Sequence, residues 1–393
     1  MRLNKWTTGF LLVVLCSGCI EPFDPDVDES DEVMVIDGRL ADIQGIQTIR
    51  ISTSSPYNNP QFKPLSGCVV RVEDDAGNGI TFLENSIGIY QSELEPDFME
   101  VGKAYKLTVF TPDNEEYESE YDSLLACAPI DSLSYRLEME GTSNPDINYY
   151  GVRFYADVKG SPEESRSYMW TFEETWAYQA YLPIQYIWDG YYLHEFVPPL
   201  PGKEVCYLTK SLENYEVGSS NLSESNEINQ QAIYYVSNQT PRLASKYSLL
   251  VAQHSLSNEA FTYWDNMRTQ SRDAGGMFDT QPFRTAGNMS NINNPEEKVL
   301  GYFFVSQVKE KRITVSNHFN FPIARFSCPQ DTVWFPWQLD PPYPYLLFEY
   351  RLDDTIPPPA PDVPELQYVY SFKECHDCTY RGGVTTKPEY WDD

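Results

Sequence analysis

Short runs in which apolar and polar residues alternate recur along most of this chain, and they restrict its fold more than any other feature. Tyr105, Leu107 and Val109 are separated by polar residues, and the run from Val152 to Val158 has the same period of two. Strict alternation places successive side chains on opposite faces of a β-strand. The sequence therefore predicts a mainly β protein.

Residues 33–127 are predicted to form an N-terminal antiparallel sandwich of the immunoglobulin-like or carboxypeptidase-regulatory-like kind. Short apolar runs begin at Val33, Ile46 and Cys68, and residues 74–79 supply a turn rich in aspartate and glycine. Short strands at this spacing are typical of a small β-sandwich.

Residues 128–393 are predicted to form a larger β-rich second domain with one short amphipathic helix near residues 257–272. Four apolar residues of this segment recur at helical spacing and share one face: Ala260, Phe261, Trp264 and Met267. Ser257 precedes them, and serine is a preferred residue at a helix N-cap.

A proline-rich insertion at residues 329–364 is predicted to be a loop. Most of its prolines lie in two clusters, at residues 341–344 and 357–361. Proline has no backbone N–H to donate, so it is excluded from the centre of a sheet. We therefore expect this insertion not to pair centrally in any sheet.

The first eighteen residues are typical of a bacterial lipoprotein signal peptide. Arg2 and Lys5 precede the apolar run from Gly9 to Leu15, which is too short to span a bilayer. Small residues then lead directly into Cys19. We expect cleavage before Cys19 and lipid attachment to it, so that the lipid holds the mature protein at a membrane. An ordinary secretory signal is the alternative, and export follows in both cases.

Residues 19–32 are predicted to be an extended tether, because acidic residues and proline dominate them. Asp24, Asp26 and Asp28 alternate as at the start of a calcium loop, but Glu29 occupies the position of its glycine. No metal site is therefore predicted. In some bacteria an acidic segment after a lipidated cysteine directs export, which supports the hypothesis of an outer-membrane location facing the cell exterior.

The chain is strongly acidic, with 28 Lys and Arg against 58 Asp and Glu and a formal net charge of -30. Such a charge repels phosphate backbones, so we expect no nucleic acid partner. Acidity of this degree serves either solubility or the recruitment of a cationic ligand or partner, and the sequence leaves both open.

Six cysteines follow Cys19, and all are candidate disulfide residues in an exported chain: Cys68, Cys127, Cys206, Cys328, Cys375 and Cys378. Cys68 and Cys127 lie nearest to the first domain, so we expect them to pair with each other. The other four then tie the carboxyl end into the second domain. Cys375-His-Asp-Cys378 has two alternative interpretations, half of a zinc site or a redox pair. A zinc site needs two more ligands, and a thioredoxin-like redox pair needs a βαβ context that the local sequence does not show.

No pattern of a known catalytic site occurs in the chain. It has no Gly-x-Ser-x-Gly nucleophile elbow, no His-Glu-x-x-His metal motif and no phosphate-binding glycine loop. The neighbouring Glu173 and Glu174 can in principle flank a glycosidic bond, but in so acidic a chain such pairs are more often solvated. We predict no enzymatic activity and no cofactor.

Aromatic residues are concentrated between residues 149 and 196. Tyr168, Trp170 and Phe172 share one strand face and are predicted to be core. The segment that follows contains Pro183 and Asp189-Gly190 and is predicted to be a long loop or hairpin. Its aromatic residues form the candidate interface: Trp176, Tyr178, Tyr181, Tyr186, Trp188, Tyr191 and Tyr192. Exposed Tyr and Trp form binding hot spots, and a merely well-packed hairpin is the alternative.

Several blocks in a fixed order carry a family resemblance. They are Cys19-Ile-Glu-Pro-Phe, the segment from Glu259 to Asp279, Gly287-Asn-Met, Val299-Leu-Gly-Tyr-Phe, and the ending from Cys375 to Trp391. Over essentially the whole mature chain, the sequence resembles the Bacteroidota outer-membrane lipoprotein family of domain of unknown function 4249, DUF4249.

The resemblance implies a lipoprotein of the outer membrane, often made alongside a TonB-dependent transporter that has a carboxypeptidase-regulatory-like domain. It supplies no active-site residues. Two functions from different classes follow as expectations. One is a binding or lid subunit that works with a TonB-dependent barrel, and the other is a structural or assembly lipoprotein with no ligand of its own.

Overall fold

The fold is that of a computed structural model, which describes residues 32–54, 63–95, 97–141, 148–188, 191–273, 285, 287–316, 319–333, 345–349 and 367–391. The predicted signal peptide, Cys19 and the tether up to residue 31 lie outside the described residues. Within those residues the chain is mainly β, which confirms the predicted fold class. No helix among them is both long enough and apolar enough to cross a membrane.

The first sandwich is built from a continuous sheet of twelve strands in the described part of the chain. Nine of these strands come from the first 123 residues of the chain: β1 (Met34–Ala41), β2 (Ile46–Thr53), β3 (Lys63–Pro64), β4 (Val69–Asp74), β5 (Gly79–Ser86), β6 (Ile89–Glu93), β7 (Ala104–Phe110), β8 (Glu116–Ser119) and β9 (Asp122–Ser123). Three come from much later: β18 (Met289–Asn291), β19 (Val299–Leu300) and β20 (Phe303–Ser306). The strand order in this sheet is β18-β8-β7-β4-β5-β6-β2-β1-β19. Three further strands pair at its sides: β3 with β2, β9 with β7 and β20 with β1.

Side chains from distant strands of this order share one core, so the sheet folds onto itself as a sandwich. Ile36 of β1, Val70 of β4 and Leu107 of β7 are fully buried in the same cluster. Tyr105 and Val109, which alternate with polar neighbours in β7, face that core as well. The alternation in the sequence thus identified the buried face correctly.

The first sandwich contains residues that the sequence alone placed in the second domain. β19 and β20 both pair with β1 in parallel, and β18 pairs with β8. The predicted antiparallel arrangement is therefore wrong for these two pairings of β1, while β1 and β2 pair antiparallel. A parallel pair needs a long crossover, and here the crossover contains every strand of the second sandwich except β21. Residues 33–127 thus make up only part of the first sandwich.

The second sandwich consists of two sheets that face each other across one core. The first sheet has the order β10-β11-β16, formed by β10 (Ile130–Gly141), β11 (Asn148–Lys159) and β16 (Glu227–Ser237). The second has the order β15-β12-β17-β21, formed by β12 (Ser167–Gln179), β15 (Val205–Ser219), β17 (Tyr247–Leu256) and β21 (Val308–Val315). A 3₁₀ helix, Pro241–Leu243, precedes β17. Tyr168, Trp170 and Phe172 lie in this core, as predicted.

A third sheet has the order β14-β13-β23-β24-β22. Its strands are β13 (Ile184–Trp188), β14 (Leu193–Leu200), β22 (Asp331–Val333), β23 (Tyr345–Glu349) and β24 (Gln367–Tyr370). The prediction that residues 329–364 cannot pair centrally is wrong, because β23 pairs with β13 on one side and β24 on the other. Residues 345–349 contain no proline and so keep every backbone N–H, whereas the prolines flank this run.

The helix α1 (Asn258–Asp273) confirms the predicted helix, and a shorter helix, α2 (Lys373–His376), precedes a 3₁₀ helix at Cys378–Arg381. The Ala260 N–H donates to Ser257 Oγ at 3.2 Å, as expected of an N-cap serine. α1 packs on β12 and β15 through Met169 and Val217, and Phe304 of β20 joins the same cluster. The helix therefore lies at the junction between the two sandwiches.

Candidate functional site

The predicted aromatic interface contains a β-hairpin formed by β13 and β14. Tyr191 and Tyr192, between the two strands, are 85% and 73% exposed, and Tyr181, which precedes β13, is 50% exposed. Tyr186 is half-buried, and its hydroxyl donates to Glu195 Oε1 at 3.0 Å. The side chain of Trp188 lies outside the described residues. Three tyrosines of the predicted interface are thus accessible on or beside this hairpin.

Trp176 and Tyr178 do not belong to this accessible group, which corrects the predicted interface. Tyr178 is only 6% exposed; it packs against Phe326, and its hydroxyl donates to the Glu374 carbonyl oxygen at 2.8 Å. Trp176 is half-buried against the core of the second sandwich. The reason is that β12 continues to Gln179 as an internal strand, so neighbouring elements cover both residues.

Two disulfides tie the carboxyl end of the chain to the second domain, as predicted. Cys206 is bonded to Cys378 and Cys328 to Cys375, with Cα–Cα distances of 5.5 and 5.8 Å. The cysteines of the Cys375-His-Asp-Cys378 segment therefore bond to different partners and form neither a redox pair with each other nor half of a zinc site. The described residues contain no cluster of three His, Cys, Asp or Glu suited to a metal ion.

The expected disulfide between Cys68 and Cys127 is wrong, because both residues are buried free thiols. Cys68 lies in the core of the first sandwich, whereas Cys127 lies in the core of the second. The chain passes from one sandwich to the other just before Cys127, so nearness in sequence does not place the two thiols together. Burial raises the pKa of both thiols, that of Cys127 to about 12.

The carboxyl-terminal segment, residues 371–391, is fixed to the second domain by aromatic contacts as well as by disulfides. The Arg381 guanidinium lies 3.4 Å from the ring centroid of Phe326 and 4.3 Å from that of Tyr178. The Arg312 guanidinium lies 3.6 Å from the ring centroid of Tyr390. Such contacts stabilise most where water is excluded, so this segment is an integral part of the second domain.

Glu173 and Glu174 are not arranged to act on one bond. Glu173 pairs with Arg312 at 3.1 Å, whereas Glu174 accepts from Arg242 at 2.7 Å and from the Tyr247 hydroxyl at 2.9 Å. Neighbouring residues of a strand point to opposite faces. Each carboxylate therefore serves a separate ion pair on its own face of the sheet.

A cleft of about 500 Å³ lies between α1 and the first sandwich. Its lining residues come from four separate segments: Glu120, Asn258, Glu259, Thr262, Tyr263, Asn266, Thr285, Gly287, Asn288 and Tyr302. Cavities of this size at domain junctions are typical of small-molecule sites. No motif in the sequence indicates it, because residues that are far apart in the chain build it together. Among the described residues, the start of α1 contributes the largest share of the lining.

The surroundings of the cleft are negatively charged. The pKa of Asp122 is raised to about 6, mainly by burial and in smaller part by the nearby charge of Glu259. Burial also raises the pKa of the Tyr302 hydroxyl, with added effects of Asp122, Glu259 and Glu120. The rings of Tyr263 and Tyr302 stack with centroids 4.5 Å apart. The cleft therefore combines acidic groups with a pair of tyrosines.

Comparison with known proteins gives one family match and several distant structural likenesses. The profile of the family described as "Domain of unknown function (DUF4249)" matches residues 20–312. No curated protein matches the chain. A crystal structure of trypsin-activated alpha-2-macroglobulin from Escherichia coli is similar at 10% identity and a TM-score of 0.19, over 58% of this chain and 15% of that one. A cryo-EM reconstruction of the native conformation of the E. coli protein is similar at 12% identity and a TM-score of 0.18, over 58% of this chain and 13% of that one.

Proposed function

The chain belongs to the family of domain of unknown function DUF4249, and from that premise we propose that it is a lipid-anchored accessory subunit of a TonB-dependent transporter. It is attached to the outer membrane through Cys19, faces the cell exterior and binds the transporter barrel through the β13–β14 hairpin. The observation that carries the proposal is the exposure of Tyr191 and Tyr192 at that hairpin. Large exposed aromatic side chains are the residues that most often anchor protein interfaces.

The third sheet holds the hairpin in place. β13 pairs with β23 through Tyr186 opposite Leu346 and Ile187 opposite Tyr345. The Leu182 N–H, just before β13, donates to the carbonyl oxygen of Cys375 at 3.0 Å, and Cys375 is itself disulfide-bonded. A preorganised surface loses less conformational entropy on binding, so a hairpin held in this way favours docking.

The disulfides support the proposed location outside the cytoplasm. Disulfides form and persist in oxidising compartments and are rare in the cytosol. The chain has two of them, and the amino-terminal pattern that ends at Cys19 is typical of exported lipoproteins. Lipid on that cysteine, followed by an extended acidic tether, leaves the folded part free to meet a membrane partner.

The proposal is tested by co-purification from detergent-solubilised membranes of the native organism. Tyr191→Ala combined with Tyr192→Ala should lower recovery of a TonB-dependent barrel at least tenfold, because loss of an aromatic hot spot costs about 2 kcal/mol or more. Tyr121→Ala combined with Tyr135→Ala is the matched control, since both residues are exposed and lie outside the hairpin. Recovery of the same barrel at wild-type yield by the folded hairpin variant would reject the proposal.

A further inference from the structure

The strand β10 forms an open edge of the second sandwich. In the part of the chain that the structure describes, β10 pairs with β11 on one side and with no strand on the other. The outward N–H and C=O groups of an edge strand are a template for pairing with another chain. We propose that β10 pairs antiparallel with β10 of a second copy, which joins two three-stranded sheets into one. The inference does not depend on the β13–β14 hairpin, which belongs to another sheet.

The other three edges of the second sandwich are each protected against such pairing. β21 places Lys309 and Lys311 at exposed positions, and lysine on an edge strand discourages the addition of another strand. β16 pairs with β11 through two register shifts and has a φ of +50° at Gln230, which makes its edge irregular. At β15, the backbone of Tyr207 exchanges two hydrogen bonds with that of Val384, at 2.8 and 3.0 Å. The carboxyl-terminal segment therefore covers part of the β15 edge.

β10 lacks these protective features over most of its length. From Ser132 to Gly141 it pairs with β11 without a register shift, and it contains neither proline nor lysine. Tyr135, Leu137 and Met139 occupy alternate positions, so they share one face of the strand, and they are 43%, 44% and 57% exposed. A long, regular edge with exposed apolar side chains is the kind that associates. A strand that adds to β10 must therefore present apolar side chains on the same face.

The sequence of β10 is complementary to itself in one antiparallel register. When Leu137 lies opposite Leu137 of the second copy, Arg136 lies opposite Glu138 and Tyr135 lies opposite Met139. Two-fold symmetry makes each of the last two pairs occur twice. Opposite charges that face each other across two strands stabilise the pairing, and a methionine sulfur is attracted to an aromatic ring. A second copy of this chain is therefore the occupant that fits the edge.

The two neighbouring registers are disfavoured by charge. Side chains that lie opposite each other must share a face, so the register shifts in steps of two residues. One such step places Arg136 opposite itself, and the step in the other direction places Glu138 opposite itself. Like charges directly opposite each other are destabilising. In the proposed register, Arg136 instead extends the ion pair between Glu138 and Arg153, 2.8 Å apart, into a network across both copies.

Cysteine cross-linking of the full chain in its native membrane tests the pairing. Leu137→Cys should give a disulfide-linked dimer on mild oxidation, because directly opposite residues have Cα–Cα distances that a disulfide can span. Tyr135→Cys and Met139→Cys are the matched controls on the same face. Each lies four residues out of register with its own copy, about 14 Å away along the strand, and should give no dimer. Cys68 and Cys127 are buried and should not compete.

Two results of the cross-linking would overturn the proposal. Equal dimer formation at positions 135, 137 and 139 would show random collision in the membrane. Absence of a dimer at position 137 would show that β10 does not pair with itself. That second result includes the case in which position 137 forms a disulfide with a different protein and none with a second copy.

Charge reversal tests the register independently, by analytical ultracentrifugation of the lipidated protein in detergent. Arg136→Glu should raise the dissociation constant of the dimer at least tenfold, because it places carboxylates opposite each other at two positions. Adding Glu138→Arg restores opposite charges and should recover part of the lost affinity. The net charge of -30 on each copy opposes association, so physiological ionic strength is used, where the Debye length is about 8 Å.

Arg71→Glu is the matched control for charge reversal. Arg71 is exposed in β4 of the first sandwich, so this variant changes the net charge by the same amount away from β10 and should leave the dissociation constant within twofold. Equal weakening by Arg71→Glu and Arg136→Glu, or no recovery when Glu138→Arg is added, would reject the register and with it the proposal.

Discussion

Gly287 and Gly301 meet at a point where three backbone segments come into contact. Gly301 has a φ of +97°, and a Cβ atom there would lie 1.9 Å from the carbonyl oxygen of Ile36. A Cβ atom on Gly287 would lie 1.8 Å from the carbonyl oxygen of Gly301. Both glycines belong to blocks that carry the family resemblance. At this junction the resemblance therefore reflects a steric requirement of the backbone.

Gly301→Ala should lower the free energy of unfolding by about 3 kcal/mol or more, because the added methyl group collides with β1 and the positive φ strains alanine. Gly77→Ala is the matched control. Gly77 also has a positive φ, +85°, but nothing lies within 4 Å of an added Cβ, so strain alone should cost about 1 kcal/mol. Urea unfolding followed by tryptophan fluorescence measures both losses. Equal losses would show that the backbone contact at Gly301 contributes nothing.

Asn288, the residue after Gly287, shows how a side chain can take the place of a strand partner. Its Nδ2 donates to the carbonyl oxygen of Phe303 at 2.7 Å, and its Oδ1 accepts from the Phe303 N–H at 2.9 Å. Phe303 is fully buried, and these two bonds satisfy both of its polar backbone groups. The segment Gly287-Asn-Met thus attaches β20 to the edge of the cleft.

The elements that the sequence predicted well are those with local signals. α1 was predictable because its N-cap, its apolar face and its length are all encoded in Ser257 and the sixteen residues that follow it. β18, β19 and β23 were assigned to the wrong sheet or to none, since pairing is a long-range property that alternation within a strand does not encode. The short run of residues 345–349 was also obscured by the prolines around it.

Ser257→Ala should destabilise the protein by about 1 kcal/mol, because it removes the side chain that accepts from the Ala260 N–H. Ser271→Ala is the control within the same helix. The Ser271 hydroxyl only donates to the carbonyl oxygen of Met267, which is already inside α1, so its loss should be close to neutral. Thermal unfolding followed by circular dichroism compares the two. If both variants lose the same stability, the cap does not anchor the start of α1.

At the scale of the whole molecule, two sandwiches and a third sheet carry two separate candidate sites. Tyr191 and Tyr192 were identified from the sequence because an aromatic turn with Asp189-Gly190 beside it is a local pattern. Tyr178 was not recognised as core, because its burial depends on the carboxyl-terminal segment, which packs on it from almost two hundred residues away. The acidic cleft was not predictable for the same reason, since four distant segments line it.

The chain's net charge of -30 is explained either by solubility or by the recruitment of a cationic partner. Much of the acid is distributed over exposed positions, where it favours solubility. Glu120 and Glu259, in contrast, line one cleft beside the buried carboxyl of Asp122.

Site-specific photocross-linking in living cells tests the proposed docking most directly. A photoreactive phenylalanine analogue is placed at position 191 in one strain and at position 135 in another. Tyr135 is also exposed but lies in β10, away from the hairpin. We predict a light-dependent adduct between position 191 and a TonB-dependent barrel, identified by mass spectrometry, and none from position 135. A folded, surface-exposed protein that gives no barrel adduct at position 191, or equal adducts from both positions, would contradict the account.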